Sequence, residues 1–179
     1  GHLARAPGGI RLAAHFCGAD CLQALQGDAE HVRRLHDLLG FRRMQINPTA
    51  ANNSGGWTAA EAVAGLRSLA AALPDVELIL QVNDETRPLF DGLLGPEAQA
   101  PAPPNVAALF DPSCGMGVAP DERPPPIAGR HCGFAGGLSP ETIEAQLCRI
   151  GAACEGHPES VWIDMESGIR SRTPEGRDV

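Results

Sequence analysis

The residues with the clearest chemical meaning lie between Gly133 and Arg170. Gly136-Gly137 follows the apolar run Gly133-Phe134-Ala135 and precedes Leu138-Ser139-Pro140. Ser139 suits a helix N-cap, Pro140 suits the first helical position, and Glu141 and Thr142 fall in the first turn. Two bare glycines ahead of a helix start aim backbone N–H groups at one point. With the positive end of the helix dipole behind them, they form a seat for a phosphate. The plan returns in Val161-Trp162-Ile163-Asp164-Met165-Glu166, which closes on Ser167-Gly168. The competing account is that these glycines serve tight turns alone. Asp111 ends another apolar run, Asn105 to Asp111, either as an acid for proton transfer or as a cap for the following turn. Asp164 and Glu166 are spaced for acid–base work or a divalent cation, although structural hydrogen bonding is the preferred role. No metal and no cofactor are assigned.

These groups need elements to hold them. Strand patterns recur at Arg11–Cys17, Phe41–Asn47, Val76–Asn83, Asn105–Asp111, Arg130–Ala135 and Ser160–Glu166. Helical patterns fall between them, at Gly18–Gln26, from the Asp28 cap to Leu39, from the Thr58 cap to Leu73, at Glu85–Leu94 and at Pro140–Cys154. Residues Gly1 to Gly9 read as a loop. Strand ends recur at roughly 30 residues, the length of a βαβ unit, so a parallel sheet covered by helices is expected. Polar residues gather at the strand ends: His15 and Cys17, Gln45 and Asn47, Gln81 and Asn83, Asp111, Asp164 and Glu166. Where they stand at i and i+2, both side chains face one side of the sheet. Gln45, Asn47, Gln81 and Asn83 are candidate pocket residues, with solvated strand ends as the plain alternative. A doubly wound sheet and a TIM-type (β/α)8 barrel both fit the alternation. The ring of polar strand ends favours the barrel, and no Gly-x-Gly-x-x-Gly follows a strand.

Composition narrows the partners. At 179 residues the chain has the size of a single domain with a real core. The formal charge of −8 argues against nucleic acid and membrane surfaces as partners. No apolar run reaches the length of a membrane span and no signal peptide is visible, so a cytoplasmic setting is expected. The chain contains no lysine, so no side-chain amine can form a Schiff base. Its 6 cysteines lack zinc-like pairing. His15-Phe16-Cys17 with Cys21 is a weak metal-ligand pattern. Cys17 is either a substitute base or an inert small apolar residue.

The order of these blocks resembles the phosphoribosylanthranilate isomerase family. The quoted segments are Gln45-Ile46-Asn47-Pro48, then Leu109-Phe110-Asp111 followed by Cys114-Gly115-Met116-Gly117. Next come Phe134-Ala135-Gly136-Gly137-Leu138-Ser139-Pro140, Ile163-Asp164-Met165-Glu166-Ser167-Gly168-Ile169-Arg170 and Gly176-Arg177-Asp178. The resemblance implies one partial TIM barrel over residues 1–179, with about six of eight βα units in this chain. It implies a general acid at Asp111 and a phosphate held by Gly136, Gly137, Ser167 and Gly168. It further implies an isomerase that converts an aminoaldose phosphate to an aminoketose by an Amadori rearrangement. Asn47 stands where the family has histidine and Glu166 where it has serine. A barrel relative that binds without catalysing is therefore the alternative.

Overall fold

The computed structural model describes residues 12–96, 98–113 and 118–171. The expected loop at Gly1 to Gly9, the Cys114-Gly115-Met116-Gly117 loop and the Gly176-Arg177-Asp178 step lie outside the described residues.

Strands and helices alternate as the periodicity requires. The strands are β1 (Ala13–Phe16), β2 (Arg43–Ile46), β3 (Glu77–Val82), β4 (Val106–Phe110), β5 (Cys132–Phe134) and β6 (Val161–Ile163). They hydrogen-bond in chain order within one sheet. The β1–β2, β2–β3 and β5–β6 pairs are parallel, which forces each connection to cross over outside the sheet. The helices are α1 (Gly18–Leu25), α2 (Ala29–Leu39), α3 (Ala59–Ala72), α4 (Arg87–Leu93) and α5 (Ile143–Ala153). The fold is therefore α/β with a parallel sheet. Among the described residues no helix is long and apolar enough to cross a membrane.

Two compact units make up the chain, Gly1–Ala108 and Leu109–Val179. In the first, β3 is buried at every position from Leu78 to Val82, as expected for a strand covered on both faces. β2 alternates instead: Met44 and Ile46 are buried while Arg43 and Gln45 are half-buried. One face of β2 thus joins the core and the other carries polar groups. Helix α2 is capped by the Asp28 carboxylate, which accepts from the His31 N–H at 3.0 Å. At the start of α3 the Thr58 hydroxyl accepts from the Glu61 N–H and donates to its carboxylate, as in a capping box. Helix α1 crosses α3 at Gly65, where an added Cβ would lie 1.9 Å from the Leu25 carbonyl oxygen. Only glycine permits that approach. Leu66 and Leu69 of the same helix lie in the core, each removing a full leucine side chain from water. Each contributes roughly 1.5–3 kcal/mol.

In the second unit Phe110 and Phe134 stack at 5.6 Å between ring centroids, joining the ends of β4 and β5. Helix α5 departs from expectation. It begins at Ile143, and its N-cap is Thr142 rather than Ser139. The Thr142 hydroxyl accepts from the Ser139 N–H at 2.9 Å and donates to the Gly137 carbonyl at 2.7 Å. A local hydroxyl turn therefore occupies the residues expected to form the first helical turn.

Candidate functional sites at the strand ends

In the first unit the polar strand-end residues form one connected network. Parallel register places His15 directly beside Gln45. Cys17 and Asn47 follow two residues later on their respective chains, on the same side. Asn47 is fully buried and donates through Nδ2 to the Phe16 carbonyl at 3.2 Å. That bond leaves Asn47 Oδ1 as an acceptor, filled by Gln45 Nε2 at 3.0 Å. The second Gln45 Nε2 hydrogen points to His15 Nε2 at 2.7 Å. His15 Nε2 is then an acceptor, and its ring proton is assigned by the network to Nδ1. Nδ1 faces Cys17 Sγ at 3.9 Å. The sulfur also meets Asn52 Oδ1 at 3.5 Å and Asn47 Nδ2 at 4.0 Å.

Gln81 and Asn83 are both buried. Asn83 Oδ1 accepts from the Thr86 N–H at 3.1 Å, and the Thr86 hydroxyl accepts from the Asn83 N–H at 3.0 Å. Asn83 thus ties the end of β3 to the start of α4. Its buried Nδ2 has no hydrogen-bond partner among the described residues.

The second unit builds its strand ends from backbone. Gly136 and Gly137 have φ of 82° and 69°, a left-handed pair that side chains rarely adopt. A Cβ at Gly137 would lie 2.3 Å from Ala119 Cα, so the turn is also packed tightly from outside. Behind it sits Arg123, which is buried. Its guanidinium donates to the Ala135 and Gly136 carbonyls and to Gln146 Oε1. Both carbonyls are thereby drawn to the arginine side. Among the described residues the Gly136 and Gly137 N–H groups have no hydrogen-bond partner. Burial pushes the Arg123 guanidinium below its ordinary value, Arg149 adds to the effect and Asp111 opposes it. Arg123 Nε is buried, with no hydrogen-bond partner among the described residues.

Asp111 is buried at the end of β4 and accepts from the Ser113 hydroxyl at 2.7 Å. Ser113 lies against the glycine turn: a Cβ at Gly136 would stand 3.3 Å from its Oγ. At the end of β6 the Asp164 N–H bonds the Phe134 carbonyl at 3.0 Å. The chain then turns through a short 3-10 segment, Ser167–Ile169. Gly168 packs on the neighbouring loop, since a Cβ there would lie 2.2 Å from the Leu138 carbonyl oxygen. The turns after β5 and β6 therefore lie side by side. Asp164 is half-buried and Glu166 is exposed. The Ser167 side chain is outside the described part of the chain.

Among the described residues no group of three or more His, Cys, Asp or Glu side chains is placed to hold a metal ion. Arg123 is the residue that sequence reasoning missed. It stands in a proline-rich stretch, where nothing in its spacing separates it from a solvated arginine. Comparisons with protein-family models, with curated proteins and with solved structures find no match to this chain.

Proposed function

We propose that this chain is a relative of the phosphoribosylanthranilate isomerase barrels that binds a phosphorylated small molecule at the turns after β5 and β6. The observation that supports it most directly is the pair of adjacent turns after two parallel strands. Among the described residues the Gly136 and Gly137 N–H groups are unpartnered there, and a buried arginine stands behind them. Because α5 starts late, its dipole does not reach the turn. The Arg123 charge supplies the positive potential that a helix N-terminus would otherwise give.

In this proposal Gly136, Gly137, Ser167 and Gly168 hold the phosphate. Asp111 protonates the ring oxygen of an aminoaldose, and a base removes the C2 proton to give the aminoketose. A second reading, binding without catalysis, is favoured by the Ser113 hydroxyl on Asp111 and by Glu166 beside the turn.

Isothermal titration with ribose 5-phosphate and with inorganic phosphate tests both readings. Binding of ribose 5-phosphate is expected. An Asp111→Asn variant should keep that binding while losing any aldose–ketose conversion of the parent. Binding without conversion in the parent selects the scaffold reading. Failure of both phosphates to bind overturns both.

A further inference from the structure

Arg123 is a buried cation with no carboxylate at ion-pair distance among the described residues. We propose that it makes the turn after β5 select doubly charged phosphate monoesters over singly charged anions of the same shape. This rests on the reading of that turn as an anion seat, and it adds the residue that sets the charge selected.

Arg123, Asp111, Gln146 and the glycine turn all lie within the second unit, Leu109–Val179. Arg123 is only 8 % exposed. Its three hydrogen-bond acceptors are neutral: the Ala135 carbonyl, the Gly136 carbonyl at 2.7 Å and Gln146 Oε1 at 2.8 Å. Neutral acceptors orient a guanidinium without cancelling its charge. The Nε–H is buried with no hydrogen-bond partner among the described residues, so part of the cation lacks even a neutral acceptor. A buried ion in this position is costly until an opposite charge approaches. Burial holds the guanidinium below its ordinary value, Arg149 on α5 adds to that, and Asp111 at the end of β4 opposes it. The net direction is downward, so Asp111 does not offset the other two.

Peptide geometry carries this charge to the seat. In a trans peptide the C=O and N–H groups point in opposite directions. The Ala135 carbonyl shares one peptide with the Gly136 N–H, and the Gly136 carbonyl shares the next with the Gly137 N–H. Arg123 bonds both carbonyls, so both N–H groups point away from it. Neither N–H has a hydrogen-bond partner among the described residues. A cation on the oxygen side of two peptides polarises them and strengthens both N–H donors. An anion held by those donors is then one peptide unit from the guanidinium. Each added negative charge on the anion gains a further increment of attraction from the full cation, and much less from the N–H dipoles alone. Glu166, just ahead of Ser167, opposes any anion, and the selectivity is the net of the two charges.

Methyl phosphate and methyl sulfate test this. They share one tetrahedral shape and differ by one negative charge at about pH 8, where a phosphate monoester is doubly ionised. Isothermal titration of the protein should show methyl phosphate binding at least about tenfold more tightly than methyl sulfate. In Arg123→Gln, shown to be folded by circular dichroism, that ratio should fall to about threefold or less. An arginine that only braced the turn would weaken both ligands alike and leave the ratio unchanged. A second measurement needs no variant: nitrogen-15 NMR of the Arg123 guanidinium in the parent. Its signals should move on saturation with methyl phosphate and much less with methyl sulfate. Equal affinities in the parent overturn the selection while leaving the anion seat in place. An unchanged ratio in folded Arg123→Gln, or guanidinium signals unmoved by bound methyl phosphate, overturn the role of Arg123. Binding of neither anion overturns the seat and the selection together.

Discussion

The ends of β1 and β2 and the ends of β5 and β6 solve one problem in opposite ways. Both present polar groups where parallel strands stop. At β1 and β2 the groups are side chains: an imidazole, two amides and a thiol, ordered by a single buried asparagine. At β5 and β6 they are peptide groups, bared by glycine and oriented by a single buried arginine. A site made of side chains tolerates substitution member by member, because the backbone beneath it is ordinary strand. A site made of backbone has no such freedom, since its geometry is the fold itself.

The sharpest way to break this contrast is Gly137→Ala. The substitution meets both a φ of 69° and Ala119 Cα at 2.3 Å. A loss of about 4 kcal/mol in urea denaturation is expected from strain and overlap together. A loss below about 1 kcal/mol would show that the turn is not as tightly held as described. Next comes Arg123→Met, which leaves the Ala135 and Gly136 carbonyls and the Gln146 amide without their donor. About 3 kcal/mol should be lost. In the first unit Asn47→Ala should cost about 2 kcal/mol, since it removes one buried amide and empties its space. Its more telling effect is on His15, whose proton should redistribute between the ring nitrogens. Nitrogen-15 NMR of the imidazole reads this directly, and an unchanged spectrum would contradict the hydrogen-bond chain.

The smallest effect is one of pH. Cys21 has its thiol raised from 9.0 to about 11, mainly by burial. The folded state thus holds this proton more tightly than the unfolded state. Its contribution is complete below about pH 9 and is lost as pH climbs toward 11. The chain has no lysine and no tyrosine, so few other groups titrate in that window. Cys132 and Cys154 are raised in the same direction by burial. Cys21→Ala should flatten the alkaline decline by on the order of 1–2 kcal/mol, measured by denaturation at pH 8 and pH 11. An identical decline in the variant would remove Cys21 from the explanation.

Much of this was legible in the sequence, and for identifiable reasons. The apolar runs marked all six strands, most plainly β3 and β4, which are buried on both faces along nearly their whole length. Spacing at i and i+2 put Gln45 with Asn47 and His15 with Cys17 on common sides. What it could not supply was register, which alone sets His15 beside Gln45. The start of α5 was misplaced because Ser139 and Thr142 are both good caps. The choice between them fell to a hydroxyl bond with the Gly137 carbonyl. Arg123 was invisible because its role depends on three acceptors from other segments, none within ten residues of it.

The pairing of β1 with β2 has one more consequence. If β1 slid by a single residue, Ala14 would take the place beside Gln45 and the imidazole would swing to the opposite side of the sheet. The sulfur would then lose its nearest ring nitrogen, although every main-chain ladder bond could re-form. The hydrogen bond between His15 and Gln45 would thus serve as a molecular vernier, registering a strand displacement too small for most measurements of shape.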